Sequence, residues 1–225
     1  MNRITAYIRQ SLQDIYPPEE VKALSMLICC DMLGVDALDI YMGKDIILSA
    51  CKQRELENII FRLQKNEPIQ YIRGYAEFCG RNFRVAPGVL IPRPETAELV
   101  DLIVKENPDA RRLLDIGTGS GCIAISLDKN LPDAKVDAWD ISEEALAIAR
   151  KNNEELDAQV TFRRQDVFSA DGIRLTGSIA TSLRNIVFYF REDEVSKKSD
   201  IKQKSCHRSY VTTLSYYLYD NTFSC

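Results

Sequence analysis

Leu113-Leu114-Asp115-Ile116-Gly117-Thr118-Gly119-Ser120-Gly121-Cys122 decides how the rest of the chain is read. Two apolar residues and an acid lead into three glycines at alternate positions, and the apolar run Ile123-Ala124-Ile125-Ser126-Leu127 comes next. The pattern predicts a strand, a tight turn and a helix N-terminus. Glycine suits a backbone that must take positive φ or admit a ligand closely. A helix N-terminus offers unpaired N–H groups to polar ligand atoms. A dinucleotide fingerprint would need a further glycine three places after Gly119, to pack helix on strand and seat a pyrophosphate. Cys122 stands there, so that reading fails. On these residues alone, a turn that holds no ligand stays open beside a cofactor loop.

Downstream, Pro132-Asp133-Ala134 is a turn and Lys135-Val136-Asp137-Ala138-Trp139-Asp140 a second strand that ends in an acid, 19 residues after Gly121. In nucleotide-binding α/β folds an acid at that place accepts hydrogen bonds from ribose hydroxyls; a surface turn acid is the alternative. Ser142 fits a helix N-cap with Glu143 and Glu144 in the first turn. Ala145, Leu146, Ile148 and Ala149 form the apolar face, and Gln159-Val160-Thr161-Phe162-Arg163 makes a third strand before Gln165-Asp166-Val167-Phe168. Alternating strands and helices predict an α/β fold with a parallel sheet covered by helices and a ligand at the strands' carboxyl ends.

Upstream, helical periods dominate. Ile4, Tyr7, Ile8, Leu12 and Ile15 mark a first amphipathic helix. Pro17-Pro18-Glu19-Glu20 starts a second, with Val21, Leu24, Leu27 and Ile28 inward and Gly34 as the stop. A short helix fits Asp36 to Tyr41. A longer one fits Asp45 to Lys65, with Ile47, Leu48, Cys51, Leu56, Ile59, Ile60 and Leu63 inward. From Glu67 the character changes: aromatic and β-branched residues around Gly80-Arg81-Asn82 predict a hairpin. In Ile91-Pro92-Arg93-Pro94-Glu95-Thr96, two prolines hold Arg93 extended and start a helix at Pro94.

The 225 residues allow one large or two small domains, and 45% hydrophobic with 28% charged residues fits a globular protein. The sequence holds no apolar run long enough for a membrane span and no signal-peptide core, so no membrane association is expected and the expected location is the cytoplasm. Seven cysteines lack metal-ligand spacing, and the single histidine, His207, has no partners for a zinc site. Reduced thiols, no metal and no histidine base are expected. Net charge is −4, divided as −7 over residues 1–171 and +3 over 172–225, which offers no basic face for nucleic acid on the main body.

The run from Pro68 to Thr96, above all Ile91-Pro92-Arg93-Pro94-Glu95-Thr96, together with Asp115-Ile116-Gly117-Thr118-Gly119-Ser120-Gly121, resembles the HemK/PrmC family. These are methyltransferases of the glutamine side chain in peptide chain release factors. The resemblance reaches from the N-terminus to about Phe168. It implies a Rossmann-like S-adenosylmethionine-dependent methyltransferase sheet preceded by a small helical bundle. The implied organisation is a bundle that binds the substrate protein (1–66), a hairpin linker (67–93), a cofactor-binding core (94–171) and a divergent tail (172–225). Implied cofactor-binding residues are Gly117, Thr118, Gly119, Ser120, Gly121 and Asp140, with Asp166 and Val167 against the adenine.

The family's next feature, Asn-Pro-Pro-Tyr after a fourth strand, is absent. Asn185-Ile186-Val187-Phe188 keeps the asparagine and an aromatic three places on, making Asn185 the candidate substrate-binding residue. Alternatively Tyr189-Phe190-Arg191-Glu192 matches the family's segment at and beyond its tyrosine, which puts Ile186 in the asparagine's place. Residues 172–225 also shift in composition, with one alanine, eight serines and five of the ten tyrosines, as a reading-frame lesion or a divergent truncated copy would produce. Such a sheet is expected to expose strand edges. The expected activity is methyl transfer to a release-factor glutamine amide. A catalytically impaired cofactor- or release-factor-binding remnant is the alternative, and a methyltransferase of another amine a third.

Overall fold

A computed structural model describes residues 2–167, together with the backbone of 178–181 and 186–190. The expectations for Asn185, and for the tail apart from those two strands, lie outside the described residues.

The first 73 residues are helical. Helix α1 (Arg3–Leu12) is capped by the Asn2 side chain and buries Ile4, Ile8 and Leu12. Helix α2 (Pro18–Met26) begins after Pro17 and runs on through π-helical turns at Leu27–Met32. Helix α3 (Ala37–Tyr41) takes Asp36 as its N-cap. Helix α4 covers Ala50–Leu63, a shorter span than the expected Asp45 to Lys65. Ser49 accounts for the difference: its hydroxyl accepts from the Lys52 amide, so the helix starts there. Ile47 consequently lies off the helix and is 93% exposed, and Cys51 is exposed as well, correcting both as core positions. Leu56, Ile59, Ile60 and Leu63 do face the core, with Ile8, Leu12, Leu24 and Ile28.

Ile69–Arg73 forms a one-turn helix, α5, where the sequence suggested extended chain. The hairpin comes next as β1 (Tyr75–Phe78) and β2 (Arg81–Arg84), with Phe78 paired to Arg81. Its turn is Cys79-Gly80, both at positive φ (48° and 68°), one residue before the expected place. A two-residue loop with two left-handed positions matches the right-handed twist of the flanking strands. Phe83 is fully buried and meets Phe78 edge-on, with ring centroids 5.9 Å apart. Both phenylalanines join the core of the following α/β unit.

That unit runs α6 (Pro94–Glu106), β3 (Arg112–Ile116), α7 (Cys122–Asn130), β4 (Lys135–Asp140), α8 (Glu143–Glu155) and β5 (Thr161–Arg164). Strands β5, β4 and β3 are neighbours and parallel, as the alternation demands. The remaining strands, β6 (Ser178–Thr181) and β7 (Ile186–Phe190), are antiparallel to their neighbours, giving the order β5-β4-β3-β7-β6. Only four residues separate β6 from β7 in sequence, too few for a crossover, so antiparallel pairing is what that link permits. The outer edge of β3, expected to be open, is therefore paired with β7; the sheet's edges are β5 and β6.

Gly121, the N-cap of α7, packs this helix against its surroundings. Its φ is +80°, and a Cβ there would stand 3.1 Å from Ile125 Cδ1, 3.2 Å from Ala149 Cβ and 3.4 Å from Phe162 Cε1. Helix α7 then buries six consecutive residues, Cys122 to Leu127. The helix-on-strand role that a dinucleotide fold gives to a glycine at position 122 is taken here by Gly121.

Gly121→Ala is expected to lower unfolding stability by about 2–4 kcal/mol, since it adds left-handed strain and overpacking together. Urea unfolding measures it. By the same assay Phe83→Ala is expected to cost about 3–5 kcal/mol, and Ile47→Ala less than about 0.5 kcal/mol.

Candidate functional site

Strand β3 delivers the glycine loop, and the end of β4 holds it. The carbonyl of Trp139 accepts from the amides of Gly117 (2.9 Å) and Thr118 (3.0 Å). Asp115 is fully buried, a costly place for a carboxyl group without partners. The Thr118 hydroxyl donates to it at 2.7 Å, and the Gly121 amide closes the turn on the Thr118 carbonyl at 2.9 Å.

Asp140 ends β4 and binds two elements through its side chain. Its Oδ2 accepts from the Gly119 amide and its Oδ1 from the Ser142 amide, each at 2.9 Å. Ser142 in turn caps α8 by accepting from the Ala145 amide at 3.1 Å. An ionised carboxylate has about four lone-pair sites, so two backbone bonds leave acceptor capacity for hydroxyl donors. A Cβ added at Gly119 would meet nothing closer than the Gly117 carbonyl at 4.0 Å. The loop therefore presents open backbone beside a partly occupied carboxylate.

Opposite stands the proline-rich segment. Pro94 opens α6 with Arg93 as an extended N-cap (φ −107°, ψ 147°), as the two prolines require. The Tyr71 hydroxyl donates to the Val89 carbonyl at 2.6 Å, and Val89 packs in a small cluster with Ala76, Val85 and Ala145. A cavity of about 640 Å³ lies between the two segments, within the usual range for small-molecule sites. Leu90, Arg93 and Glu95 line one side; Gly119, Ser120 and Asp140 line the other.

The residues expected from sequence thus divide. Gly117, Thr118, Gly119, Ser120 and Asp140 come together at the cavity. Gly121 faces the core instead. Asp166 and Val167 lie beyond β5, half-buried, and do not line the cavity. Asn185 is outside the described residues, although the next residue, Ile186, pairs with Ile116 at the end of β3. Asn152 on α8 is a loop contact that the sequence reading does not single out: it donates from Nδ2 to the Ser120 carbonyl at 2.8 Å. A signal for it exists, because position 152 continues the buried face of Ala145 and Ala149.

Cys122 begins α7, a place that favours a thiolate by its helix dipole. Burial prevails and pushes the thiol up to about 12, against the opposing hydrogen bond with Ser120. It packs as a neutral group and supplies no nucleophile. Glu144 sits below the usual carboxylate range, through its own backbone amide and the Ser142 hydroxyl. Among the described residues no group of side chains is arranged to hold a metal ion, and no helix is long and apolar enough to cross a membrane.

Comparison with known proteins places this geometry. The PrmC N-terminal domain family matches residues 4–74 and the methyltransferase small domain family residues 95–175. A release factor glutamine methyltransferase of Bacteroides thetaiotaomicron is 99% identical over 176 residues, covering 78% of this chain and 63% of that protein. One from Koribacter versatilis is 50% identical over 140 residues, 61% of this chain and half of its own length. The chain thus spans less than two thirds of the length of either relative. A Flavobacterium psychrophilum protein of the same name is 36% identical over 193 residues, 84% of this chain and 68% of its own length. On that extent of similarity, joined to the paired domain matches, the chain belongs to the release factor glutamine methyltransferase family.

Proposed function

We propose that this chain binds S-adenosylmethionine at the glycine loop and transfers its methyl group to the side-chain amide nitrogen of a glutamine in a peptide chain release factor. One observation carries the reading: Gly119, Ser120 and Asp140 face the Ile91–Thr96 segment across a single cavity. The relatives' shared name supports the transferase over the binding remnant, and the expected setting is the cytoplasm.

The residues at the cavity suit the cofactor. Open backbone at Gly119 admits its amino-acid portion closely, and the acceptor capacity left on Asp140 suits ribose hydroxyls. Asp166 and Val167, just beyond β5, are the candidates for the adenine amine and ring face. When bound, the cofactor supplies a methyl group on a positively charged sulfur.

The protein's tasks derive from the acceptor's weakness. An amide nitrogen delocalises its lone pair into the carbonyl, so it reacts only when held in line with the methyl carbon. Placement alone can account for ~7–11 kcal/mol of a barrier. Acceptors aimed at the amide hydrogens stabilise the positive charge that develops on nitrogen. The new N–C bond forms as the C–S bond breaks, and the nitrogen then gives up one proton. Asn185 is the candidate for that grip. The helical region 1–66 is the candidate surface for the release factor, 67–93 the linker and 94–171 the cofactor-binding core.

Methyl transfer from labelled S-adenosylmethionine to a purified release factor tests the proposal. Label on one glutamine is the expected result; none, with cofactor bound, overturns it. Asp140→Ala is expected to weaken cofactor binding about 10- to 100-fold, the loss of charge-assisted hydrogen bonds. Unchanged affinity would remove Asp140 from the site.

A further inference from the structure

Asn152 lies in the last turns of α8 and is 1% exposed. A buried amide is unfavourable unless its polar atoms are paired, and asparagine is a weak helix former. Here the amide is used in full. Its Oδ1 accepts from the Arg84 amide at 2.6 Å, while Nδ2 donates to the Arg84 carbonyl at 3.1 Å and to the Ser120 carbonyl at 2.8 Å. The two-way bond with one backbone residue determines which way the side chain points, because a flipped amide would set donor against donor and acceptor against acceptor. Nδ2 is thereby fixed toward Ser120.

The consequence concerns the glycine loop. Its two ends are secured by Trp139 and Thr118, but the middle is held from opposite sides: the Gly119 amide by Asp140 and the Ser120 carbonyl by Asn152. Gly121, at φ +80°, comes directly after. Without Asn152 the peptide between Ser120 and Gly121 is free to rotate, and a glycine neighbour opposes that rotation weakly. Two of the three Asn152 bonds go to Arg84 on β2, so the hairpin and the loop are seated by one side chain.

We infer that Asn152 is a positioning residue for the cofactor: it touches no ligand, yet by joining the hairpin to Ser120 it holds the glycine loop in its binding shape. The inference rests on the proposed function. Titrating S-adenosylhomocysteine into the wild-type protein, Asn152→Ala and Arg150→Ala tests it, with each variant's fold checked by circular dichroism. Asn152→Ala is expected to bind about tenfold more weakly, as loss of one ordering hydrogen bond implies. Arg150→Ala breaks only the exposed pair with Glu143 on the same helix, and its affinity is expected to match the wild type. A folded Asn152→Ala protein with wild-type affinity overturns the inference and leaves the proposed function standing. Failure of the wild type to bind overturns both. Should Asn152→Ala not fold, the wild-type side-chain amide signals of Asn152 decide by NMR: a shift at saturating ligand supports the inference, and no shift overturns it.

Discussion

The carboxylate of Asp140 ties together three parts of the chain. Through Oδ2 it holds the loop that leaves β3, and through Oδ1 it holds the start of α8. Its backbone carbonyl accepts from the Gln165 amide beyond β5 at 3.0 Å. The carboxyl ends of three parallel strands are therefore mutually located by one residue. Everything that makes a site here, including the open backbone at Gly119 and the cavity shared with the proline segment, presupposes that junction.

Much of this is legible in the residues alone. Alternate glycines after a short apolar strand point to a loop with positive φ, and an acid closing the next strand points to its partner. The Ser142 cap and the start of α6 at Pro94 arise from side chains that act on their own backbone. Each of these signals is local, and the chemistry that produces it lies within a few residues.

The features that escape a reading of the chain depend on distance or on competition between local signals. The apolar residues Ile46 to Leu48 continue the helical period, and Ser49 cuts it off. Cys79 in a left-handed turn position lacks the usual asparagine or aspartate signature, so the residue pattern sets the hairpin turn one residue late. Asn152 reads as solvent-facing among Lys151, Asn153 and Glu154, because its partners are 68 and 32 residues away. The antiparallel strand beside β3 cannot be read from alternation, which predicts only parallel neighbours.

The central claim, that the loop of Gly117–Gly121 and the end of β4 form one cofactor site, is tested most directly by amide hydrogen exchange with and without S-adenosylhomocysteine. The expected result is slowed exchange confined to 117–121, 140–142 and the facing segment 88–96, with the helical core around Ile8 and Leu56 unchanged. Saturable binding that leaves 117–121 and 140–142 at their free rates would contradict it.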